Sequence, residues 1–74
     1  MPPGPPVVVY PPAEDGGRRV RVGDHFFGMA YGPLDVVDFL RRAGIEEADR
    51  AYVTQSRRIE WRGGGPGVWE CPYG

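Results

Sequence analysis

The stretch Tyr31-Gly32-Pro33-Leu34-Asp35-Val36-Val37-Asp38-Phe39-Leu40-Arg41-Arg42-Ala43-Gly44-Ile45 spells one complete amphipathic helix with its own start and stop signals. Pro33 suits the first helical position, where a missing N–H has no intrahelical partner to lose. Asp35 in the first turn complements the positive end of the helix dipole, and Arg41 and Arg42 complement the negative end. At 3.6 residues per turn Val36, Val37, Phe39, Leu40 and Ala43 share one arc, opposite Asp35, Asp38 and Arg42. Gly44 is placed for the left-handed residue that ends a helix, with Ile45 folding back on Leu40. Asp38 and Arg42, four apart, make a solvated pair worth only about 0.3–0.5 kcal/mol.

On the N-terminal side of this helix, Arg19-Val20-Arg21-Val22 alternates charge and valine, which predicts a half-buried strand with Val20 and Val22 inward. Gly23-Asp24 then predicts a two-residue hairpin turn. His25 to Tyr31 forms the returning strand, with Phe27, Met29 and Tyr31 on the face under the helix and Phe26, Gly28 and Ala30 on the other. On the C-terminal side, Glu46 to Arg50 is a polar connector with room for one more short helical turn. Ala51-Tyr52-Val53-Thr54 has the composition of a strand, Gln55 to Arg58 that of a turn, and Ile59-Glu60-Trp61-Arg62 alternates with Ile59 and Trp61 on one face. Gly63-Gly64-Gly65-Pro66-Gly67 interrupts regular structure before Val68-Trp69. The expectation is a small α+β fold, in which a hairpin, one helix and a second strand pair form an antiparallel sheet with the helix on one face. The expected core is Val20, Val22, Phe27, Met29, Val36, Val37, Phe39, Leu40, Ile45, Tyr52, Val53, Ile59 and Trp61.

By composition, residues 1–17 read as a Pro-rich N-terminal tail and residues 18–74 as a single small domain. Pro2, Pro3, Pro5, Pro6, Pro11 and Pro12 remove backbone donors and favour extended geometry, and Glu14-Asp15-Gly16-Gly17 reads as a hinge. Pro2 to Pro5 and Pro3 to Pro6 carry the P-x-x-P spacing of aromatic-groove ligands. Val7-Val8-Val9-Tyr10 is the exception, a run of high strand propensity whose flanking prolines suit an edge strand.

A chain of 74 residues buries only ~60% of the surface it exposes when unfolded, and stability of roughly 3–5 kcal/mol is expected. Cys71, the only cysteine, excludes an internal disulfide and a Cys-rich metal framework. The first residues lack the features of a signal peptide, and no run approaches ~18 apolar residues. The expected location is therefore cytoplasmic, without a membrane segment. Nine basic residues against ten acidic ones give no bulk charge that would draw nucleic acid. All nine are Arg, Lys and Asn are absent, and Gly and Pro together fill twenty-one positions, a bias that fits GC-rich codons first and selection of Arg for bidentate anion contacts second. The succession Phe39-Leu40-Arg41-Arg42-Ala43-Gly44 and then Ile59-Glu60-Trp61-Arg62-Gly63-Gly64-Gly65-Pro66-Gly67-Val68-Trp69 resembles small uncharacterised proteins of high-GC actinobacteria, over roughly the last two thirds of the chain. That resemblance implies no activity, cofactor or site residue.

No catalytic constellation is legible. His25 beside Asp24 lacks a nucleophile and further metal ligands, and the carboxylates form no evident acid and base pair. Cys71 lies between Glu70 and Pro72, where a nearby carboxylate disfavours the thiolate. The Gly63 to Gly67 loop has no following Lys-Ser or Lys-Thr, and Pro66 removes a donor. It reads as a turn that brings Trp61 and Trp69 together rather than as a phosphate loop. No enzyme, metal site or cofactor is expected. The leading expectation is a small non-enzymatic protein-interaction module, adaptor or regulatory, that presents Trp69, Phe26 and Tyr73 as an apolar C-terminal edge. The alternative is nucleic-acid binding through Arg18, Arg19, Arg21, Arg57, Arg58 and Arg62 on a sheet face, with Tyr52 or Phe26 as a stacking surface. Against it stand the net charge of −1 and the single clear helix. A third reading makes Gly63 to Gly74 a segment for a modifying enzyme. The thin core and unpaired strand edges leave room for a homodimer.

Overall fold

Val7, Val8 and Val9 form the strand around which the sheet is built. The computed structural model describes residues 6–69. In chain order its elements are β1 (Val7–Val9), β2 (Arg18–Val22), β3 (His25–Ala30), α1 (Pro33–Arg42), α2 (Arg50–Gln55) and β4 (Ile59–Trp61). The fold is α+β, a four-stranded mixed sheet in the order β3-β2-β1-β4 with two helices. β1 pairs antiparallel with β2 and parallel with β4, and β2 and β3 form the expected hairpin around Gly23-Asp24.

Two expectations are corrected by this topology. The run at residues 7–9 is an interior strand with a partner on each side, not an edge strand, so part of the segment read as a tail is integral to the sheet. The sheet is also not purely antiparallel. β3 and β4 run in the same direction at opposite edges, and the chain joins them by carrying α1 and α2 across one face, as a parallel connection requires. The crossover covers one side of the sheet with helices.

A third correction concerns residues 51–54, which form a helix rather than a strand. Asp49 takes an extended conformation, and its side chain accepts the backbone N–H of Tyr52 at 2.7 Å, capping α2. Tyr52 and Val53 have strand propensity, but the cap and the burial of Val53 against the core override it. The second strand pair is therefore a single strand, β4, and Val68 and Trp69 lie outside any strand.

α1 follows its sequence signals closely. Pro33 occupies the first turn, and Asp35 accepts the backbone N–H of Tyr31 at 2.9 Å. The C-terminus closes with Gly44 N–H to Arg41 O at 3.1 Å and Ile45 N–H to Leu40 O at 2.9 Å, with Gly44 at φ +96°. That pair of bonds is the Schellman arrangement, and its positive φ is the conformation glycine adopts without strain.

The core lies between the sheet and the helices, where Val7, Val9, Val20, Val22, Ala30 and Ile59 meet Val36, Val37, Leu40, Ile45, Ala48 and Val53. Phe27, Phe39, Tyr52 and Trp61 pack against it half-buried. Met29, expected in the core, is 37% exposed, and Tyr31 is exposed too. A β-bulge accounts for both. The β2–β3 register shifts between Val20 and Arg21, so that Gly28 faces Val20 while Phe26 faces Arg21. One extra residue on β3 breaks the period of two. Phe27 then reaches Phe39 of α1, with ring centroids 6.2 Å apart, whereas Met29 shares the opposite face with Arg19.

Candidate functional site

The face of the sheet away from the helices gathers arginines and aromatic rings. Arg19 and Arg21 alternate with the inward Val20 and Val22, and Met29 and Phe26 stand beside them on β3. Tyr10 and Arg62 follow the ends of β1 and β4 on the same side. The rings of Tyr10 and Phe26 are 5.8 Å apart and tilted by 33°. The Arg19 guanidinium lies 5.5 Å from the Phe26 centroid, and those of Arg21 and Arg62 lie 5.8 and 5.3 Å from that of Tyr10. Contacts of this kind are worth about 0.5–1 kcal/mol each at exposed sites, enough to orient a guanidinium without neutralising it.

Arg62 is paired with Glu60, both side chains being about half exposed. Arg19 and Arg21 enter no ion pair among the described residues, and Arg21 Nε is buried without a hydrogen-bond partner. Beside them opens a cleft of about 400 Å³ bounded by Tyr10, Pro11, Ala13, Arg19, Phe26 and Met29. Charge is also divided between the two sides of the chain. Residues 6–30 and 57–69 carry six arginines against four carboxylates, whereas residues 31–56 carry three against five.

Arg18 is not part of this face. It shares the inward parity of Val20 and Val22 and is fully buried. Its five N–H donors are all used on backbone carbonyls: Nε on Tyr10, Nη1 on Gly65 and Val68, and Nη2 on Arg62 and Gly64, at 2.7–2.9 Å. The guanidinium also lies 5.2 Å from the ring centroid of Trp61 and 5.5 Å from that of Trp69. Burial lowers its pKa from the ordinary value, but an arginine remains charged in proteins. The Gly-rich loop thus wraps a buried cation, offering carbonyl oxygens rather than the N–H groups of a phosphate loop. Gly63, at φ +76°, is placed so that a Cβ would lie 2.6 Å from Pro11, which seats the loop against the segment after β1.

The two tryptophans meet edge to face with centroids 6.3 Å apart, as the loop reading expects. Trp69 donates its indole N–H to Pro66 O at 2.8 Å and packs against the core on the helix side. Phe26, 52% exposed, lies on the opposite face. The structure therefore does not bring Trp69 and Phe26 into one edge. Tyr73 and Cys71 lie outside the described residues.

Of the arginines proposed for nucleic acid, Arg19, Arg21 and Arg62 come together. Arg57 and Arg58 stand in the exposed turn before β4, and Tyr52, on α2, is not on that face. His25 is exposed, its ring 5.8 Å from that of Phe27 and tilted by 53° to it. The residue that sequence reasoning missed is Tyr10, whose ring holds two of the guanidinium groups. Its signal was present, because a strand at residues 7–9 with Val9 inward turns Tyr10 outward.

Among the described residues, no group of three or more His, Cys, Asp or Glu side chains could hold a metal ion. No described helix is long and apolar enough to cross a membrane. Comparison with protein-family models, with curated proteins and with solved structures gave no match for this chain.

Proposed function

We propose that this protein is a small non-enzymatic binding module whose bare sheet face takes single-stranded nucleic acid. The observation that carries the reading is the interleaving of Arg19, Arg21 and Arg62 with Tyr10 and Phe26 on the side of the sheet that no described helix covers. The exposed Phe26 ring and the half-buried Tyr10 ring offer a base a stacking surface worth about 1–3 kcal/mol, and the Arg19 and Arg21 guanidinium groups, which have no carboxylate partner among the described residues, attract the phosphates beside it. A duplex keeps its bases stacked internally and cannot use the rings. On the face itself Arg19, Arg21 and Arg62 stand against Glu60, a local excess that a net charge of −1 does not report. The reading in which Trp69, Phe26 and Tyr73 make one protein-binding edge draws less support, because Trp69 is engaged with Pro66 and the Arg18 guanidinium on the other side.

Fluorescence anisotropy with a labelled dodecamer of uridine, and with the same strand in a duplex, tests the proposal. Binding of the single strand in preference to the duplex is expected, weakening as salt rises. Two phosphate contacts, from Arg19 and Arg21, at ~0.7 each for single strands, give a slope near −1.4 in log K against log salt. Phe26→Ala is expected to weaken it by roughly tenfold. Binding that ignores salt, or no binding at low salt, would sink the reading.

A further inference from the structure

Resting on the single-strand reading, we propose further that the cleft beside Arg19 takes one guanine base of the bound strand and that Arg19 reads its O6 and N7. The cleft's volume of about 400 Å³ falls in the lower part of the ~300–1,000 Å³ range of small-ligand sites. Its boundaries are aromatic or aliphatic at Tyr10, Phe26, Pro11, Ala13 and Met29, and Arg19 is the one charged group. No carboxylate borders it, so its complement is a planar, apolar-faced ligand that presents acceptors at one edge.

Arg19 adds an orientation to that chemistry. Its guanidinium lies over the Phe26 ring at 5.5 Å. A base that meets the guanidinium edge to edge continues its plane and extends the stack toward Tyr10, whose ring is 5.8 Å from that of Phe26. Guanine offers two adjacent acceptors to such a fork, whereas adenine offers an acceptor beside a donor that would face another donor. Uracil separates its two carbonyl oxygens by the N3–H donor, and cytosine, which does present N3 and O2 as adjacent acceptors, is a single-ring base with less surface to stack in the cleft. Arg21, which has no carboxylate partner among the described residues, is then left for a neighbouring phosphate.

The experiment compares three octaribonucleotides by fluorescence anisotropy at one low salt concentration: all uridine, uridine with one central guanosine, and uridine with one central adenosine. The guanosine strand is expected to bind about tenfold more tightly than the other two. Replacing that guanosine by 7-deazaguanosine, which lacks the N7 acceptor, should remove most of the gain without any change to the protein. Arg19→Lys, which keeps the charge and loses the fork, should reduce the ratio of guanosine-strand to uridine-strand affinity from about ten to about one, whatever it does to the affinity of the uridine strand itself. Equal binding of all three strands overturns the guanine proposal while the single-strand reading stands. A preference that survives Arg19→Lys, or that survives 7-deazaguanosine, overturns it too. Failure of every strand to bind overturns both readings.

Discussion

At the scale of the residue, Arg18 makes the largest single commitment in the molecule. A guanidinium with no carboxylate partner among the described residues is held by five carbonyl oxygens and two indole rings. A fully buried carbonyl deprived of its donor costs about 1–3 kcal/mol and a part-buried one less, so losing several of these part-buried bonds together rivals the whole ~3–5 kcal/mol expected of a scaffold this small. Arg18→Met and Arg18→Lys are both expected to unfold the chain or strip the near-ultraviolet circular dichroism of Trp61 and Trp69; a wild-type urea midpoint in either would show that the clamp contributes little. A second residue-scale device is the Asp15 carboxylate, which accepts the N–H of Gly17 and the hydroxyl of Tyr31, both at 2.9 Å. The Gly17 bond first, and the Tyr31 bond second, hold Asp15 below the usual carboxylate pKa, and the same contact raises the Tyr31 phenol above its ordinary value. The depressed Asp15 contributes stability above the unfolded carboxylate pKa of ~3.9, lost as pH falls through its lower folded value. Tyr31 works in the opposite sense: its contribution is present below ~10 and is lost as pH rises through the raised folded pKa. Tyr31→Phe should therefore move the Asp15 titration, followed by the carboxyl carbon shift in NMR, part of the way back up. An unchanged midpoint would leave Gly17 as the sole cause.

At the scale of the element, β1 matters more than its three residues suggest. It supplies Val7 and Val9 to the core and is the only strand that joins β4 to the hairpin. Its neighbours also depend on it through bonds beyond the ladder, with Tyr10 N–H to Arg19 O and Arg62 N–H to Val9 O, both at 2.9 Å. Removal of residues 1–17 is accordingly expected to abolish the cooperative thermal transition, even though composition alone assigns this segment to a tail. Retention of a sharp transition by the truncated chain would mean that β2 and β4 can pair without it. The helices show the contrasting case, in which local signals suffice. Pro33, Asp35 and Gly44 delimit α1 without help from elsewhere, and Asp49 starts α2 although the residues that follow favour a strand.

At the scale of the whole molecule, the parallel crossover from β3 to β4 is what creates a functional surface. It lays both helices on one side, so the sheet acquires a buried valine face and a bare face carrying Arg19, Arg21, Arg62, Tyr10 and Phe26. The five carboxylates of residues 31–56 belong to the helical segment, which leaves the arginine excess with the strands and their connections. The modest salt dependence expected of binding follows from this division and not from net charge, because exposed charges farther apart than a Debye length of about 10 Å are largely screened from one another. The helix from Pro33 to Arg42, the hairpin about Gly23-Asp24, most of the core and the approach of Trp61 to Trp69 were legible in the sequence, since each follows from spacing within a short run. Arg19 and Arg21 were legible as a pair for the same reason. The place of β1, the parallel pairing of β4, the bulge that turns Met29 outward, and the meeting of Arg62 and Tyr10 with β2 were decided by tertiary structure alone. Local periodicity specifies which face of a strand is apolar, but it carries no information about which strand becomes the neighbour. That choice falls to the burial shared among distant valines and to a buried arginine that needs five carbonyls from two separate stretches of chain.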